Sequence, residues 1–350
     1  MAAYTAVDDS EAHFQVKTWT GDGEASLALT LPGDTNMQPD LVWIKARDAT
    51  EQHPVFDAIR TATNYMLTNG TNANYAEADT LLSFNSDGFT VGADDKVNAD
   101  TKLYVAWNWK AGTTSGIAGS PSITPSSYSF NATSGFSIIA YTGNSTAGAT
   151  LPHGLGVAPK MIFGKKVNGT DGWGVFHASM DATAPEDYNL FLNTTAARAD
   201  SPMWNDTPPT STLFSLGSGG DINSSSNTYI AYCFAEKQGF SKFGSYEGSG
   251  NADGQFVFTG FRPAWIMTKS VDSTSAWHIF DNKREGYNVD NDPLVADATT
   301  VEATTDMIDI VSQGFKFRIS TDPNVAETYI YAAFAEAPLV NSEGVPNNAR

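Results

Sequence analysis

The side chains able to do chemistry are dispersed along this chain. Five histidines stand at positions 13, 53, 153, 177 and 278. None is spaced from another histidine, or from the single Cys233, as a zinc ligand would be. Cys233 lies inside the apolar run Tyr229-Ile-Ala-Tyr-Cys-Phe234, which excludes an internal disulfide framework and reads as a small buried residue. No Gly-x-Ser-x-Gly, no Gly-x-x-x-x-Gly-Lys-Ser/Thr and no strand-led Gly-x-Gly-x-x-Gly occurs, so neither a nucleophile elbow nor a phosphate loop is encoded. Asp290-Asn-Asp292 and Ala93-Asp-Asp95 supply hard oxygen ligands, which makes Asp290 and Asp292 candidate calcium ligands although the spacing matches no helix-loop-helix site. Trp204-Asn-Asp206 sits in a Pro- and Ser-rich loop, Ser201 to Ser211. There an exposed ring beside an amide and a carboxylate would stack on a sugar face and bond its hydroxyls. Trp204, Asn205 and Asp206 are therefore the candidate ligand contacts.

The 39 acidic residues offer many carboxylate pairs for glycoside hydrolysis, but nothing singles one out. No catalytic residue is assigned and the chain reads as a non-enzyme; no cofactor is expected beyond calcium. With 20 Lys and Arg against those acids the net charge is −19, and no basic run stands out, so a nucleic acid would be repelled. No basic-then-apolar leader opens the chain and no apolar stretch is long enough to span a bilayer, which leads to the expectation of synthesis in a cytoplasm and no membrane insertion.

The elements that must position these groups come in copies. Pro39-Asp-Leu-Val-Trp-Ile-Lys45, Pro159-Lys-Met-Ile-Phe-Gly-Lys165 and Pro263-Ala-Trp-Ile-Met-Thr-Lys269 each run from a proline to a lysine through an apolar strand. Seventeen residues after each proline comes the Phe of Val55-Phe56-Asp57, Val175-Phe176-His177 and Ile279-Phe280-Asp281. Each copy opens with an aromatic and a turn: Trp19-Thr-Gly21, Tyr141-Thr-Gly143 and Tyr246-Glu-Gly248. Each closes on a strand: Tyr104 to Trp109, Tyr229 to Phe234 and Tyr329 to Phe334. Asp57, His177 and Asp281 share one repeat position and read as polar caps at a strand end. His53, Trp173 and Trp277 share another and read as core or subunit contacts.

Runs of Val, Ile, Phe, Tyr and Trp alternate with Gly, Asn, Asp and Ser clusters, and helical spacing is scarce, so the fold class is all-β. At about 100 residues the copies exceed solenoid repeats and match sandwiches. The expectation is three tandem antiparallel β-sandwich domains of jelly-roll type. They are an N-terminal arm 1–13, repeats at 14–110, 136–236 and 240–336, a Gly/Ser/Thr/Pro linker at 111–135 and a C-terminal tail 337–350. The near-continuous apolar run Leu41-Val-Trp-Ile-Lys45 predicts a strand covered on both sides. A short helical turn is expected at Phe56–Arg60. The short join Lys237-Gln-Gly239 predicts close packing of the second and third repeats, with the first tethered more loosely.

The whole chain resembles a family of uncharacterised proteins from tailed phages of marine bacteria. The resemblance is carried by Met37-Gln-Pro-Asp-Leu-Val-Trp-Ile-Lys45, Phe84-Asn-Ser-Asp-Gly-Phe89, Ala106-Trp-Asn-Trp-Lys-Ala-Gly-Thr-Thr-Ser-Gly116, Trp204-Asn-Asp-Thr207 and Ala333-Phe-Ala-Glu-Ala-Pro-Leu-Val340. The resemblance implies lectin-like jelly-roll repeats and a structural component of the virion surface. A tail fibre or receptor-binding protein contacting host glycan is the leading expectation, with a capsid decoration protein as the alternative and a polysaccharide depolymerase behind both. The expected partners are other tail or capsid proteins and copies of the chain itself. Lacking long heptads, a trimer would be held by sandwich faces or terminal arms.

Overall fold

The computed structural model describes residues 5–284, 288 and 292–336. The chain is almost wholly β, in antiparallel sheets that group into pairs, each pair drawn from one repeat. In the first repeat a six-stranded sheet has the order Phe14–Thr20, Leu103–Trp109, Leu41–Ala46, Pro54–Asp57, Asn64–Leu67, Tyr75–Ala76. A second sheet, Leu27–Thr30, Gly88–Val91, Leu81–Asn85, faces it. The second repeat keeps this order as Phe136–Thr142, Thr228–Phe234, Met161–Lys166, Trp173–His177, Tyr188–Phe191, flanked by Ser127–Asn131 and Ala199–Asp200. Its smaller sheet pairs Ala149–Pro152 with Leu213–Leu216. The third runs Ser241–Glu247, Thr328–Ala335, Pro263–Ser270, His278–Asp281, Leu294–Val295, with Phe256–Phe258, Gly314–Phe317 and Ile308–Val311 opposite.

Each large sheet is buried on both faces. Along Leu41–Ala46 every residue is buried, as its unbroken apolar run predicts. One face packs on the repeat's own smaller sheet: Val42, Ile44, Phe56 and Tyr104 form a core with Leu29 and Phe89. The other face, with Trp43, Val55, Trp107 and Trp109, belongs to a single cluster that also takes Phe163, Trp173 and Phe234 of the second repeat and Trp265, Trp277 and Phe334 of the third. At its centre stand the last aromatics of the three closing strands. Trp109 lies 6.1 Å from Phe234 and 5.6 Å from Phe334, and Phe234 lies 6.0 Å from Phe334. Three equivalent residues in mutual contact define an internal pseudo-threefold axis. The first repeat is thus built into the common core and is not loosely tethered, because its inner sheet brings Trp43, Val55, Trp107 and Trp109 into that cluster. Beside the aromatics a cavity of about 20 Å³, lined by Trp43, Met161, Trp173 and Trp265 among others, has room for one water but only an apolar wall to offer it.

The helical turn expected at Phe56–Arg60 is instead the end of strand Pro54–Asp57 and a turn. The Asp57 carboxylate accepts from the Arg60 backbone N–H (2.8 Å) and from its guanidinium (2.6 Å), closing the chain before a helix can propagate. Short helices form instead at Asp95–Asn98 and Gly220–Asn223. No helix among the described residues is long and apolar enough to cross a membrane.

Candidate functional site

The polar groups that the repeats hold in register meet where one repeat abuts the next. At the position fourteen residues after the proline, each ring nitrogen reaches a backbone carbonyl of another repeat. Trp173 Nε1 donates to Leu67 O at 2.8 Å, Trp277 Nε1 donates to Phe191 O at 3.0 Å, and His53 Nε2 meets Ala298 O at 2.7 Å. Second reaches to first, third to second, and first to third, so three head-to-tail interfaces close into a ring within one chain.

Four residues further on, Asp57, His177 and Asp281 make the reciprocal contacts. The Tyr232 hydroxyl donates to Asp57 Oδ2 at 2.6 Å, and Trp107 Nε1 donates to Asp281 Oδ2 at 3.0 Å. Tyr232 and Trp107 occupy the same position of their closing strands; the third repeat has Ala332 there. Facing that alanine, the second repeat carries His177, whose Nε2 meets the backbone carbonyl of Tyr331 at 3.1 Å. The departure of His177 from the aspartate pattern is thus matched by a departure in its partner. Arg60 and Arg284 fork onto Asp57 and Asp281 from three residues on, and Arg284 also pairs with Glu302, which pairs with Arg47 at 2.6 Å. Asp57, Asp281 and Arg284 are buried, Arg60, Arg47 and Glu302 partly so, and their charges compensate one another, as burial demands. Burial, with Asp57 beside it, holds the Tyr232 phenol well above its usual range.

The lysines that end the repeated strands are also fully buried. Lys45 Nζ donates to Ala49 O, Glu51 O and, across the ring, Thr299 O at 3.2 Å; Lys165 Nζ donates to Lys166 O and across to Thr71 O at 3.1 Å. Lys269 Nζ stays within its own repeat, on Ser270 O and Ser273 O. Burial pushes all three ammonium groups down to about 8. Burial likewise holds His153 and His177 at about 4 and pushes the Cys233 thiol up to about 12, leaving a buried, inert thiol. Lys45, Lys165, Asp57, His177 and Asp281 thus help to join the repeats. The sequence displays them as repeat positions, but the partners that join the copies lie in other repeats, where no spacing rule points.

The candidate sugar contacts are not brought together on the surface. Trp204 ends the 3-10 helix Pro202–Trp204, is 2% exposed, and packs edge-on at 6.0 Å against Phe176 in the core of the second repeat. The expectation of an exposed ring is corrected. Proline at the first helical position starts a turn that carries Met203 and Trp204 inward, and Asn205, with φ 58°, closes it. Asp206 is exposed, while the Asn205 amide donates to Thr207 Oγ1 at 3.1 Å, so the three do not form one exposed ring-and-polar surface. The adjacent apolar pair Met203-Trp204 is the signal that would have marked the turn as core.

Of the two proposed calcium ligands, Asp290 lies outside the described residues and Asp292 is half-buried just before strand Leu294–Val295. At the other acidic loop, Asp94 caps the helix Asp95–Asn98 and its carboxylate gathers with those of Glu77 and Asp79 within 4.8 Å. The Lys96 ammonium is already seated there, 2.9 Å from Asp94 and 3.2 Å from Glu77. Against the cost of its desolvation these carboxylates hold Lys96 above its ordinary value. A metal ion would have to displace it.

Fold and joints define an all-β protein of fused sandwiches closed into a ring by buried polar contacts between the repeats. Residues 9–338 match the family described as Domain of unknown function (DUF7483), and the chain belongs to that family. Comparison with curated proteins gave no match, and comparison with solved structures gave none.

Proposed function

We propose that this chain is a structural surface component of a tailed-phage particle. The observation that carries the reading is the closed ring. Most of the polar groups that the repeats hold in register are taken up joining one repeat to the next, and the three inner sheets are consumed in one core. Such a body suits load and exposure rather than turnover. Its net charge of −19 keeps exposed particle parts soluble and mutually repelling. The resemblance to phage proteins supports the same reading. The inner sheet faces are already joined within the chain, so copies of the chain would meet through outer faces or terminal arms.

A receptor-binding part of the tail remains the attachment reading, though the burial of Trp204 removes the glycan contact first assigned to it. Capsid decoration is favoured by the ring itself, whose pseudo-threefold form suits a site where three copies of a shell protein meet. Immunogold labelling of intact particles, with an antibody raised against this chain, tests the proposal. Gold on the tail supports attachment and gold over the head supports decoration; particles that carry no gold while infected lysate contains the chain would overturn both.

A further inference from the structure

In every repeat the first strand of the smaller sheet is an edge, and the second repeat shows what an edge of this kind accepts. There the strap between the first two repeats lies along Ala149–Pro152. Ile123 N–H donates to Thr150 O at 3.1 Å, Thr150 N–H donates to Ser122 Oγ at 2.7 Å, and Ser122 N–H donates to Thr150 Oγ1 at 3.0 Å. Ile123 is buried into that repeat's core. The chain therefore covers this edge with its own small-residue strap, through one backbone bond at Ile123 and the paired hydroxyls of Ser122 and Thr150.

In the third repeat no other strand or strap among the described residues lies along the same edge. Its pairing of Val257 with Phe315 corresponds to Leu151 with Phe214, so Phe256 stands at the position of Thr150 and Phe258 at that of Pro152. Ladder bonds run through Gln255 and Thr259 to the neighbouring strand. By the alternation of an antiparallel pair the backbone N–H and C=O of Phe256 and the N–H of Phe258 therefore point outward, while the Phe258 carbonyl already accepts from the Tyr331 hydroxyl at 3.4 Å. Both rings are exposed, 47% and 60%, with centroids 6.4 Å apart. The first repeat shows only Ala28 and Thr30 at these positions.

We propose that strand Phe256–Phe258 is a docking edge that takes an extended segment of a partner protein. That segment is uncharged and rich in small residues, with a β-branched apolar residue in the place of Ile123, like the strap that covers the equivalent edge. Its backbone bonds the N–H and C=O of Phe256 and the N–H of Phe258, and its apolar residue lies against their rings. A strand this short, paired only with its own copy, falls well below the roughly 1,000 Å² of a stable interface, which favours a segment that runs on past the edge over a second copy.

The test uses the full chain and a labelled peptide of the strap, Gly116–Ser126, followed by fluorescence anisotropy and amide hydrogen exchange. The expected result is saturable one-to-one binding with Kd below about 1 mM, with slowed exchange at Phe256 and Phe258. Phe258→Pro removes an outward N–H and copies Pro152, so it should keep the fold and weaken binding at least about tenfold. Phe256→Thr copies Thr150, removes a ring, and serves if the proline variant does not fold. The absence of saturable binding at about 1 mM overturns the proposal. So does equal binding to Phe258→Pro, which would put the peptide on the second repeat. Dimerisation of the wild type that Phe258→Pro abolishes would make a second copy the occupant, and binding that arises only after removal of residues 337–350 would make it the chain's own end; either contradicts a foreign segment.

Discussion

Tyr232 and Trp107 each spend their one polar atom on a buried carboxylate of another repeat. Tyr232→Phe leaves Asp57 and Arg60 in place but one bond short. It should lower stability by about 1–3 kcal/mol, with Trp107→Phe in the same range, measured by urea unfolding. A loss indistinguishable from zero in both would mean that the joints carry no energy. The same scale sets the response to pH. Lys45, Lys165 and Lys269, ordinarily near 10.5, are held at about 8 by burial. Between those values the unfolded chain binds more protons than the folded one, so stability rises with pH. Buried tyrosines such as Tyr141 and Tyr246, held above their usual value, reverse the slope once the unfolded phenols ionise, so the rise is read between pH 8 and roughly 9.5. On the acid side His153 and His177, held at about 4 against 6.5 when unfolded, make stability fall as pH drops through that interval. The urea midpoint should therefore climb from pH 8 to 9.5, and Lys165→Met should flatten part of the climb; a flat wild-type profile would contradict the buried-lysine account.

At the scale of the element, the strands were legible and their partners were not. Leu41–Ala46 reads as covered on both sides because every residue is apolar or a lysine stem, and so it is. What covers the second face cannot be read, since Trp43 looks the same under a neighbouring repeat as under a loop. The Pro-rich stretch at Ser201 read as an exposed loop because proline marks both loops and helix starts, and the structure takes the second use. The glycine of Ser86-Asp-Gly88-Phe89 and Ser312-Gln-Gly314-Phe315 carries its own physical reason. A Cβ at Gly88 would lie 2.0 Å from Leu29 O, and one at Gly314 would lie 2.0 Å from Val257 O. In the second repeat the strand register puts Leu213, opposite Pro152, at this position. Gly88→Ala and Gly314→Ala should each cost about 1–3 kcal/mol by forcing the edge strand away, seen as a lowered Tm. Unchanged stability in either would mean that the smaller sheets are not held at the spacing described.

For the whole molecule, the repeats were visible as a period and the ring was not. Each repeat has a core of its own, yet Trp43, Trp107, Phe163, Trp173, Trp265 and Trp277 belong to the one core they share. A single repeat, such as residues 136–236 alone, would expose Phe163, Trp173, Tyr232 and Phe234 to water and should aggregate or remain unfolded. The central claim is that the sandwiches stand or fall together. Differential scanning calorimetry of the full chain tests it most directly, through the ratio of calorimetric to van't Hoff enthalpy. A shared core predicts one transition with a ratio near 1, lowered as a unit by Trp109→Ala at the axis. Three transitions, or a ratio near 3 with Trp109→Ala shifting only one of them, would contradict the ring and return the repeats to independent domains on a string.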